Sequence, residues 1–504
     1  MSDEREAKLV APAQVRLPDL DGLVDGASVT ALDERRLDAT YYDTAELDLA
    51  RWGITLRHRS GEDGSPWTLK LPGGQTGPAL LRRELTFDGP STSVPAGARD
   101  LVRAYLRSRR LVRVARLRTD RLPLEVRDPA GQRLAEIVDD RVTVHQGREQ
   151  TDEFREIEVE VFVPGPVGDQ LLAGAVDRLI AAGCSTDPPL PKVVRALGQR
   201  ALERPELAVP PVRRKAPVVD LVRHALARSV IQMIRCDPGV RLGEDPDDVH
   251  EMHVATCRLG ADLLIFAPLL EPGPLQELRD ELRWLGAAVG AVRDEDVLAE
   301  RLRSQAEELP EPDAAGVQPL LSLLAGQTAT ARTALLRALR SRRYVALLDK
   351  LIATSNEPPV RPGRAARADE RASRAAGRYV RRPWRRLRDA VARLDDDPPD
   401  PALHDVHILA QSCRYAAEAA APVAGPPAAR FAAAIADLQT ALGDHHDTLV
   451  AEAWLRRNAA AATPHGAVAA GELIVLQRWQ RAKLRARWPA AWKAASAKDL
   501  RSWL

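Results

Sequence analysis

Residues 156 to 161 alternate strictly between glutamate and an aliphatic residue, in the order Glu-Ile-Glu-Val-Glu-Val. Successive side chains of a strand face opposite sides, so this period predicts a strand with one acidic face and one apolar face. Residues 54–59 (ITLRHR) and 67–71 (WTLKL) alternate with the same period. Much of the first two hundred residues is therefore expected to form a sheet that is apolar on one side and charged on the other.

Several strands carry repeated charges on one face. A dry core could not hold these charges. The sets that share a face are Glu4 and Glu6 with Lys8, Arg57 with Arg59, and Glu156, Glu158 and Glu160. Like charges on neighbouring rungs repel unless something compensates them. Carboxylates could share divalent cations, and arginines could share a polyanion. One strand could simply have a solvated face, but the sets together predict a metal-plus-phosphate site.

The chain divides into two parts of different character. Residues 203–217 hold four prolines and are expected to be a linker between a domain at 1–202 and one at 218–504. Beyond residue 217 the pattern is helical. A histidine-containing segment and a later aspartate-containing segment occur twice at similar separation, which predicts two related helical bundles at about 218–350 and 365–504. The expected fold class is α+β multidomain.

Arginines recur at steps of four and three between residues 361 and 393. The series is Arg367, Arg371, Arg374, Arg378, Arg381, Arg385 and Arg388. On a helix they would form one stripe, and a polyanion along that stripe would relieve their repulsion. Pro383 is expected to kink or divide the stripe. A solvated arginine-rich surface is the alternative.

Bulk composition narrows the possible partners. Basic residues number 73 and acidic residues 71, so the net charge of +2 says little by itself. The four cysteines form no CxxC pair, which favours a reducing, cytoplasmic setting. No apolar run reaches the roughly 18 residues that cross a bilayer, so no membrane partner is expected. Aromatic residues make up 4% of the chain, which argues against specific nucleic-acid binding.

Motifs in the first two hundred residues, taken in order, resemble the CYTH family of triphosphate tunnel metalloenzymes. The first is EREAK at 4–8, which matches the ExExK signature. It is followed by YYDT at 41–44, LRHR, TLK, RRE, a basic group, AEIVDD, EIEVE and PKVVRAL. The resemblance implies an eight-stranded antiparallel β-barrel with a charged tunnel and flanking helices, which cleaves inorganic triphosphate with Mg²⁺ or Mn²⁺.

The same resemblance implies roles for individual residues. Metal ligands would be Glu4, Glu6, Glu158, Glu160 and Asp140, with further metal or water contacts from Glu84 and Glu136. Lys8 would help to position or activate the attacking water, with Glu4 and Glu6 beside it in the catalytic group. Triphosphate would be bound by Arg57, Arg59, Lys70, Arg82, Arg118, Arg121, Lys192 and Arg195. Arg118 and Arg121 are three residues apart and cannot share a face of a regular strand.

The helical part resembles CHAD domains, which are implicated in binding polyphosphate. The resemblance and the arginine stripe together indicate a polyphosphate-binding set, namely His250, Arg258, Arg293, Arg343, Arg378, Arg381, Arg382, Arg385, His404 and Arg414. Where the family usually has arginine, this chain has His253, Cys257, Gly260, His407 and Gln411. Binding is therefore expected to be weaker than in typical members or to strengthen as pH falls. His250, His253 and Cys257 also have metal-ligand spacing, without a complete ligand set.

The favoured hypothesis is a metal-dependent hydrolase of inorganic triphosphate or short polyphosphate, whose helical domain binds polyphosphate. The alternative is a non-catalytic protein that binds polyphosphate or is targeted to polyphosphate granules. Adenylyl cyclase and thiamine-triphosphatase activities rank lower, because the sequence shows no obvious pocket for a purine or a thiazole.

Overall fold

The computed structural model describes residues 5–61, 66–76, 79–146, 149–186, 190–459 and 464–504. Side chains at some edges of these ranges, including that of Arg82, are not described. The chain forms two compact units that divide after Glu206. The domain limits expected from the sequence, 1–202 and 218–504, stay predictions.

The N-terminal unit is built on one curled antiparallel sheet. Its strands in the described residues are β1 (Arg5–Val10), β2 (Ser28–Ala31), β3 (Arg35–Asp43), β4 (Thr55–Ser60), β5 (Trp67–Thr76), β6 (Ala79–Phe87), β7 (Val112–Arg127), β8 (Arg133–Gln146) and β9 (Glu149–Val161). Eight of them follow the order β1-β9-β8-β7-β3-β4-β5-β6, and β2 pairs with β7 off this path. The ends of the path, β1 and β6, approach each other, so the sheet curls into a half-barrel. The predicted fold class is confirmed, with β2 as an additional short strand.

Six short helices flank this sheet. They are α1 (Asp48–Arg51), α2 (Ala96–Leu101), α3 (Arg103–Leu106), α4 (Pro166–Ala181), α5 (Lys192–Leu197) and α6 (Gln199–Leu202). The longest, α4, covers the apolar side of β1, β8 and β9: Ile157 and Val159 are fully buried there with Leu171 and Leu179. Burying each such side chain stabilises the fold by about 1.5–3 kcal/mol. The apolar half of the Glu-Ile-Glu-Val pattern thereby fixes which way the glutamates point.

A second core lies where α5 meets the sheet. Val193 and Val194 of α5 pack with Leu117, Val142 and Phe154. These valines follow directly on Lys192, the first residue of the helix. Their burial therefore anchors α5 against the sheet and fixes where the Lys192 side chain begins.

The C-terminal unit is helical. Its helices in the described residues are α7 (Val218–Leu242), α8 (Pro246–Ile265), α9 (Pro272–Ala306), α10 (Glu311–Arg340), α11 (Arg342–Asn356), α12 (Ala365–Ala368), α13 (Ala372–Val391), α14 (Asp400–Ala424), α15 (Pro426–Asn458) and α16 (Pro464–Ala495). Consecutive helices pack in the same order twice, α7 to α10 and α13 to α16, and α8 and α10 contact α14 and α16. Among the described helices, none has an apolar stretch long and uncharged enough to span a bilayer.

Helix α13 carries the arginine series but differs from the prediction in two respects. It begins at Ala372, so Arg371 only caps it and Arg367 lies on α12. Pro383 is inside the helix and does not divide it. The face opposite the arginines, which includes Ala375, Ala376 and Val380, is buried. That apolar face holds the helix together through the proline, because tertiary packing outweighs the local penalty.

Candidate active site and phosphate-binding surfaces

A charged cavity of about 190 Å³ occupies the concave side of the half-barrel. Every strand of the eight-strand path contributes at least one side chain to it, and α5 contributes its first turn. The lining residues are Glu6, Lys8, Tyr41, Thr55, Arg57, Arg59, Lys70, Glu84, Arg121, Glu136, Glu158, Glu160, Pro191, Lys192 and Val193. Six of these are cationic and five are acidic, so the cavity combines both kinds of charge.

The acidic wall is formed by β1, β9 and β8. Glu6 lies opposite Glu160 on β9, which in turn lies opposite Glu136 on β8. Directly paired residues on adjacent strands have Cβ atoms roughly 5 Å apart, so three carboxylates form a row across three strands. One rung further along, Lys8 pairs with Glu158. Lys8 Nζ contacts Glu158 Oε1 at 2.5 Å and Glu6 Oε2 at 3.2 Å.

Lys192 joins three acids beside this row. Its Nζ lies 2.8 Å from Asp140 Oδ2, 2.7 Å from Glu156 Oε1 and 2.9 Å from Glu158 Oε1. Arg121 donates to both oxygens of Asp140, at 2.8 and 2.7 Å. Asp140 is fully buried. The three acids are thus held by Lys8, Arg121 and Lys192, and the cluster is balanced in charge.

These contacts shift the pKa values of most of the cluster. Burial opposes ionisation of Glu158, but Lys192, Lys8 and Arg121 hold its pKa well below the usual range. Burial likewise opposes the charge on Lys8, yet Glu158 and Glu6 raise its pKa. Glu156 is the exception, because burial raises its pKa despite the neighbouring lysines. The raised pKa favours the protonated form of Lys8, whose ammonium donates hydrogen bonds to these carboxylates.

Two groups of carboxylates fit a hard divalent cation by their chemistry. Asp140, Glu156 and Glu158 each offer an oxygen within 4.8 Å of the others. Lys192 already bridges all three, which leaves little uncompensated charge there. The row of Glu6, Glu160 and Glu136 faces the cavity, and Mg²⁺ and Mn²⁺ prefer such oxygen ligands. Lys8 contacts Glu6 at 3.2 Å and Arg133 contacts Glu136 at 2.9 Å, so fixed cations partly neutralise the row as well.

The basic wall comes from β4 and β5. Arg57 and Arg59 line the cavity from alternate positions of β4. Lys70 lines it from β5, where it pairs with Thr55 of β4. Lys70 Nζ contacts Glu84 Oε2 at 2.6 Å. Arg57 is hydrogen-bonded to Tyr41, and its buried Nε has no hydrogen-bond partner among the described residues. A buried guanidinium N–H without an acceptor is costly, so an anion in the cavity would satisfy it.

The YYDT segment divides its tasks between the cavity and the fold. Tyr41 faces the cavity, opposite Arg57 on β4. Asp43 accepts hydrogen bonds from the backbone N–H groups of Leu49 and Ala50, both at 2.8 Å. Burial raises the pKa of Asp43 to about 6. Asp43 therefore caps α1, and Tyr41 is the member of the motif that touches the site.

Two residues expected in the tunnel lie elsewhere, and two others fall outside the described residues. Arg118 is exposed on the outer face of β7, because it lies three residues from the inward-facing Arg121. Arg195 stacks over Phe154, with its Cζ 4.2 Å from the ring centroid, and does not line the cavity. Glu4 and the side chain of Arg82 lie outside the described residues. Arg118 is thus removed from the candidate phosphate ligands, and Arg195 has a packing role.

Two polar cavity residues were not assigned roles from the sequence. Tyr41 and Thr55 line the cavity. Buried Glu156 joins the Lys192 cluster behind it. Glu156 shares the face of Glu158 and Glu160 by strand period alone, so the signal for it was present. Tyr41 could have been found only from its register with Arg57, which is a tertiary property.

In the helical unit, two predicted arginines meet at one acid. Arg258 Nη2 donates to Glu418 Oε2, and Arg414 Nε donates to Glu418 Oε1, both at 2.7 Å. The Arg258 and Arg414 guanidinium carbons lie 5.2 and 6.0 Å from the Tyr415 ring centroid. The structure thus brings together Arg258 of α8 and Arg414 of α14, with a carboxylate between them where a phosphate could bind.

Several histidines of the helical unit, among them His250, His253, His407 and His446, have lowered pKa values. Burial is the main cause that lowers the pKa values of His250, His253 and His407. The rings of His404 and His446 stack with centroids 3.9 Å apart, and burial together with neighbouring histidines lowers the pKa of His446 to about 4. Their titration therefore lies at more acidic pH than the sequence suggested.

No zinc site forms from the His250, His253 and Cys257 spacing. Cys257 Sγ lies 3.4 Å from His253 Nε2. Among the described residues, the group of three histidine, cysteine or acidic side chains with ligand atoms within 4.8 Å is Asp140, Glu156 and Glu158. The helical spacing therefore serves packing and hydrogen bonding.

The remaining predicted arginines lie on three helices, α13, α11 and α9. Arg381, Arg382 and Arg385 are exposed on α13, as is Arg378, which pairs with Glu370 at 2.8 Å. Arg343 pairs with Glu281 at 2.6 Å and stacks over Trp284 on α9. Arg293, on α9, contributes to the lowered pKa of His250. The predicted set is thus contributed by α8, α9, α11, α13 and α14.

Known proteins are similar in sequence or structure to parts of this chain. The chain is 32% identical over 470 residues to the uncharacterized protein Rv2226 of Mycobacterium tuberculosis, covering 89% of this chain and 87% of that protein. PptA from Streptomyces chartreusis matches 55% of this chain and 100% of its own at 26% identity and a TM-score of 0.46. The CHAD domain from the plant Ricinus communis matches 58% and 96% at 26% identity and a TM-score of 0.48. At these TM-scores the two structural likenesses carry no argument about function.

Family models match both units as the motifs suggested. The CYTH domain model matches residues 2–171, and the CHAD domain model matches residues 224–456. The two matches follow each other in the order expected from the sequence. The chain therefore belongs to the proteins in which a CYTH domain is followed by a CHAD domain.

Proposed function

We propose that the CYTH domain hydrolyses inorganic triphosphate or short polyphosphate with Mg²⁺ or Mn²⁺, and that the CHAD domain binds inorganic polyphosphate. The observation that carries the proposal is the cavity to which all eight strands of the path contribute, with basic and acidic walls facing each other. Phosphoryl transfer requires mainly positioning and neutralisation of charge, which such a cavity supplies.

The proposed roles follow from the walls on which the residues lie. Arg57, Arg59 and Lys70 would hold phosphate oxygens from β4 and β5, with Arg121 and Lys192 at the opposite side. Glu6, Glu160 and Glu136 would hold the cation, which when bound neutralises phosphate charge and polarises water. Lys8, protonated between Glu6 and Glu158, would orient the attacking water by donating a hydrogen bond. Glu4 is proposed as a further ligand from the family resemblance alone.

The character of the cavity favours a bare phosphate chain over a nucleotide or thiamine compound. Of the described lining residues, only Tyr41, Thr55, Pro191 and Val193 are uncharged. Pockets for drug-sized ligands are usually about 300–1000 Å³ and largely apolar, and this one is about 190 Å³. Adenylyl cyclase and thiamine-triphosphatase activities are therefore the weaker proposals.

One observation favours a non-catalytic alternative, in which the protein binds polyphosphate or is targeted to granules. Lys192 already neutralises Asp140, Glu156 and Glu158. If a cation could not compete for these acids, the cavity would grip the end of a polyphosphate chain without cleaving it. The two functions differ in whether orthophosphate is released.

Release of orthophosphate from tripolyphosphate tests the hydrolase directly. The full chain is expected to release it with Mg²⁺ or Mn²⁺, and Glu160→Gln should raise the half-saturating metal concentration by about 10- to 100-fold, because the row loses one charged ligand. The matched control is Glu153→Gln, an exposed position on the same strand. Wild-type inactivity with both metals would favour the binding alternative. An unchanged metal requirement in Glu160→Gln would remove the row from the site.

Polyphosphate binding by the CHAD domain is tested at Glu418. This carboxylate accepts hydrogen bonds from both Arg258 and Arg414. If these arginines bind phosphate, Glu418→Gln should raise the affinity for long-chain polyphosphate about three- to tenfold, and Arg414→Ala should lower it by a similar factor. Affinity is measured by titration of the full chain at several salt concentrations, since polyanion binding weakens with salt. Equal affinities for both variants and the wild type would exclude this pair.

A further inference from the structure

We propose that a groove beside α13 binds a nucleoside triphosphate, at a place separate from the cavity of the CYTH domain. The groove has a volume of about 340 Å³ and lies between the end of α8, the helix α13 and the helix α14. Its volume falls in the range of about 300–1000 Å³ typical of small-molecule sites. This inference does not depend on the hydrolase, because it concerns different residues of the other domain.

The α13 side of the groove is a row of guanidinium groups. Arg378, Arg382 and Arg386 line it at intervals of four residues, and Arg367 of α12 adds a fourth. At 1.5 Å per residue, the row spans about 12 Å along the helix. Arg382 and Arg386 are exposed and have no acid partner among the described residues. A single phosphate would use only part of this row, whereas a chain of phosphates could lie along it.

The remaining side of the groove is apolar. Leu264, Ile265 and Leu269 come from the end of α8 and the turn after it, and Leu409 comes from α14. Leu264 is 42% exposed, which is unusual for a leucine with so many apolar neighbours available. A bare polyphosphate would gain nothing from these side chains, because it has no apolar surface to bury. The groove therefore suits an anion that carries an apolar or aromatic body.

The combination favours a nucleoside triphosphate over a lipid phosphate. A nucleoside triphosphate has about four negative charges at neutral pH, which suits a row of four guanidinium groups of which Arg378 is also paired with Glu370. Its base can lie on the aliphatic floor, and arginine side chains can stack on a base plane as well as bind phosphate. A lipid headgroup with one phosphate would leave most of the row unpaired. The base thus accounts for the floor, and the phosphate chain accounts for the row.

Titration calorimetry of the full chain with ATP, in EDTA to prevent turnover, tests the proposal. Arg382→Ala combined with Arg386→Ala should weaken ATP binding by at least about tenfold, since two charge-assisted contacts are lost. The matched control is Arg235→Ala with Arg337→Ala, two exposed arginines on α7 and α10 that give the same change in net charge. Leu264→Ser should weaken ATP binding about threefold or more and leave tripolyphosphate binding unchanged.

Each other outcome overturns the proposal. Equal losses in the two double variants would mean that ATP responds only to overall charge. Equal effects of Leu264→Ser on ATP and tripolyphosphate would mean that the floor takes no part. Tighter binding of lysophosphatidate than of ATP, lost in Arg382→Ala with Arg386→Ala, would assign the groove to a lipid phosphate. Orthophosphate release from tripolyphosphate, assayed in parallel, should be the same in Leu264→Ser and wild type, which separates this result from that of the hydrolase.

Discussion

Replacing Arg57 with alanine is expected to lower the turnover of tripolyphosphate about 100- to 1000-fold, the usual cost of removing one fixed donor to developing charge. Arg57 is half-buried at the basic wall beside Tyr41, and its buried Nε has no hydrogen-bond partner among the described residues. A phosphate oxygen would supply that partner, so the loss should appear in both kcat and kcat/KM. The measurement is steady-state orthophosphate release with saturating Mn²⁺ or Mg²⁺.

Arg118→Ala is the matched control for this experiment. The family resemblance alone gives Arg118 the same role as Arg57, but it is exposed on the outer face of β7. Its removal should change turnover less than about twofold, the effect of an exposed charge. If Arg118→Ala lost as much activity as Arg57→Ala, the assignment of inner and outer faces of β7 would be wrong. Full activity of Arg57→Ala would remove the basic wall from the reaction.

Replacing Lys192 with methionine is expected to destabilise the CYTH domain by about 3–5 kcal/mol, because it leaves acids buried without their shared cation. Asp140, Glu156 and Glu158 all contact the Lys192 ammonium within 2.9 Å. For a domain of this size the melting temperature should fall by roughly 10 °C. Calorimetry of the full chain, in which the CYTH domain transition is followed, measures the change.

A second substitution separates lost charge balance from lost packing. Glu156→Gln removes one of the acids that Lys192 neutralises, so the Lys192→Met, Glu156→Gln double variant should recover part of the lost stability. A Lys192→Met variant that melts at the wild-type temperature would contradict the proposed balance. A double variant less stable than Lys192→Met would show that the loss arises from packing around α5.

The period of the strands was sufficient to predict which side chains share a face. The alternation in residues 156–161 places Glu158 and Glu160 at the cavity and Ile157 and Val159 under α4, as its two-residue period requires. The same rule places Arg121 and Arg118 on opposite faces of β7, although the motif alone had given both the same role. Strand period is reliable here because a one-residue slip would bury the glutamates under α4.

Tertiary packing determined where the arginine-rich helix begins and which of its residues line the groove. The sequence pattern did not determine either. The arginine series predicted one stripe from Arg367 to Arg388, but the apolar face begins at Ala372, and the helix begins there too. Arg386 was not singled out, because the stripe was traced along the other flank of the helix. Its role depends on Leu264 and Leu409 of other helices, which no local pattern connects to it.

The Lys192 cluster also determines how the cavity should respond to acidity. Neighbouring charges raise the pKa values of Lys8 and Lys192 and lower those of Glu158 and Asp140. All four therefore keep their ionisation across roughly pH 6 to 9, whereas burial raises the pKa of Glu156. If the cavity cleaves a phosphate chain as proposed, a rate profile in this range would mainly follow the protonation of the terminal phosphates of that chain. The protein thus offers its substrate an almost constant electrical environment while the substrate itself changes charge.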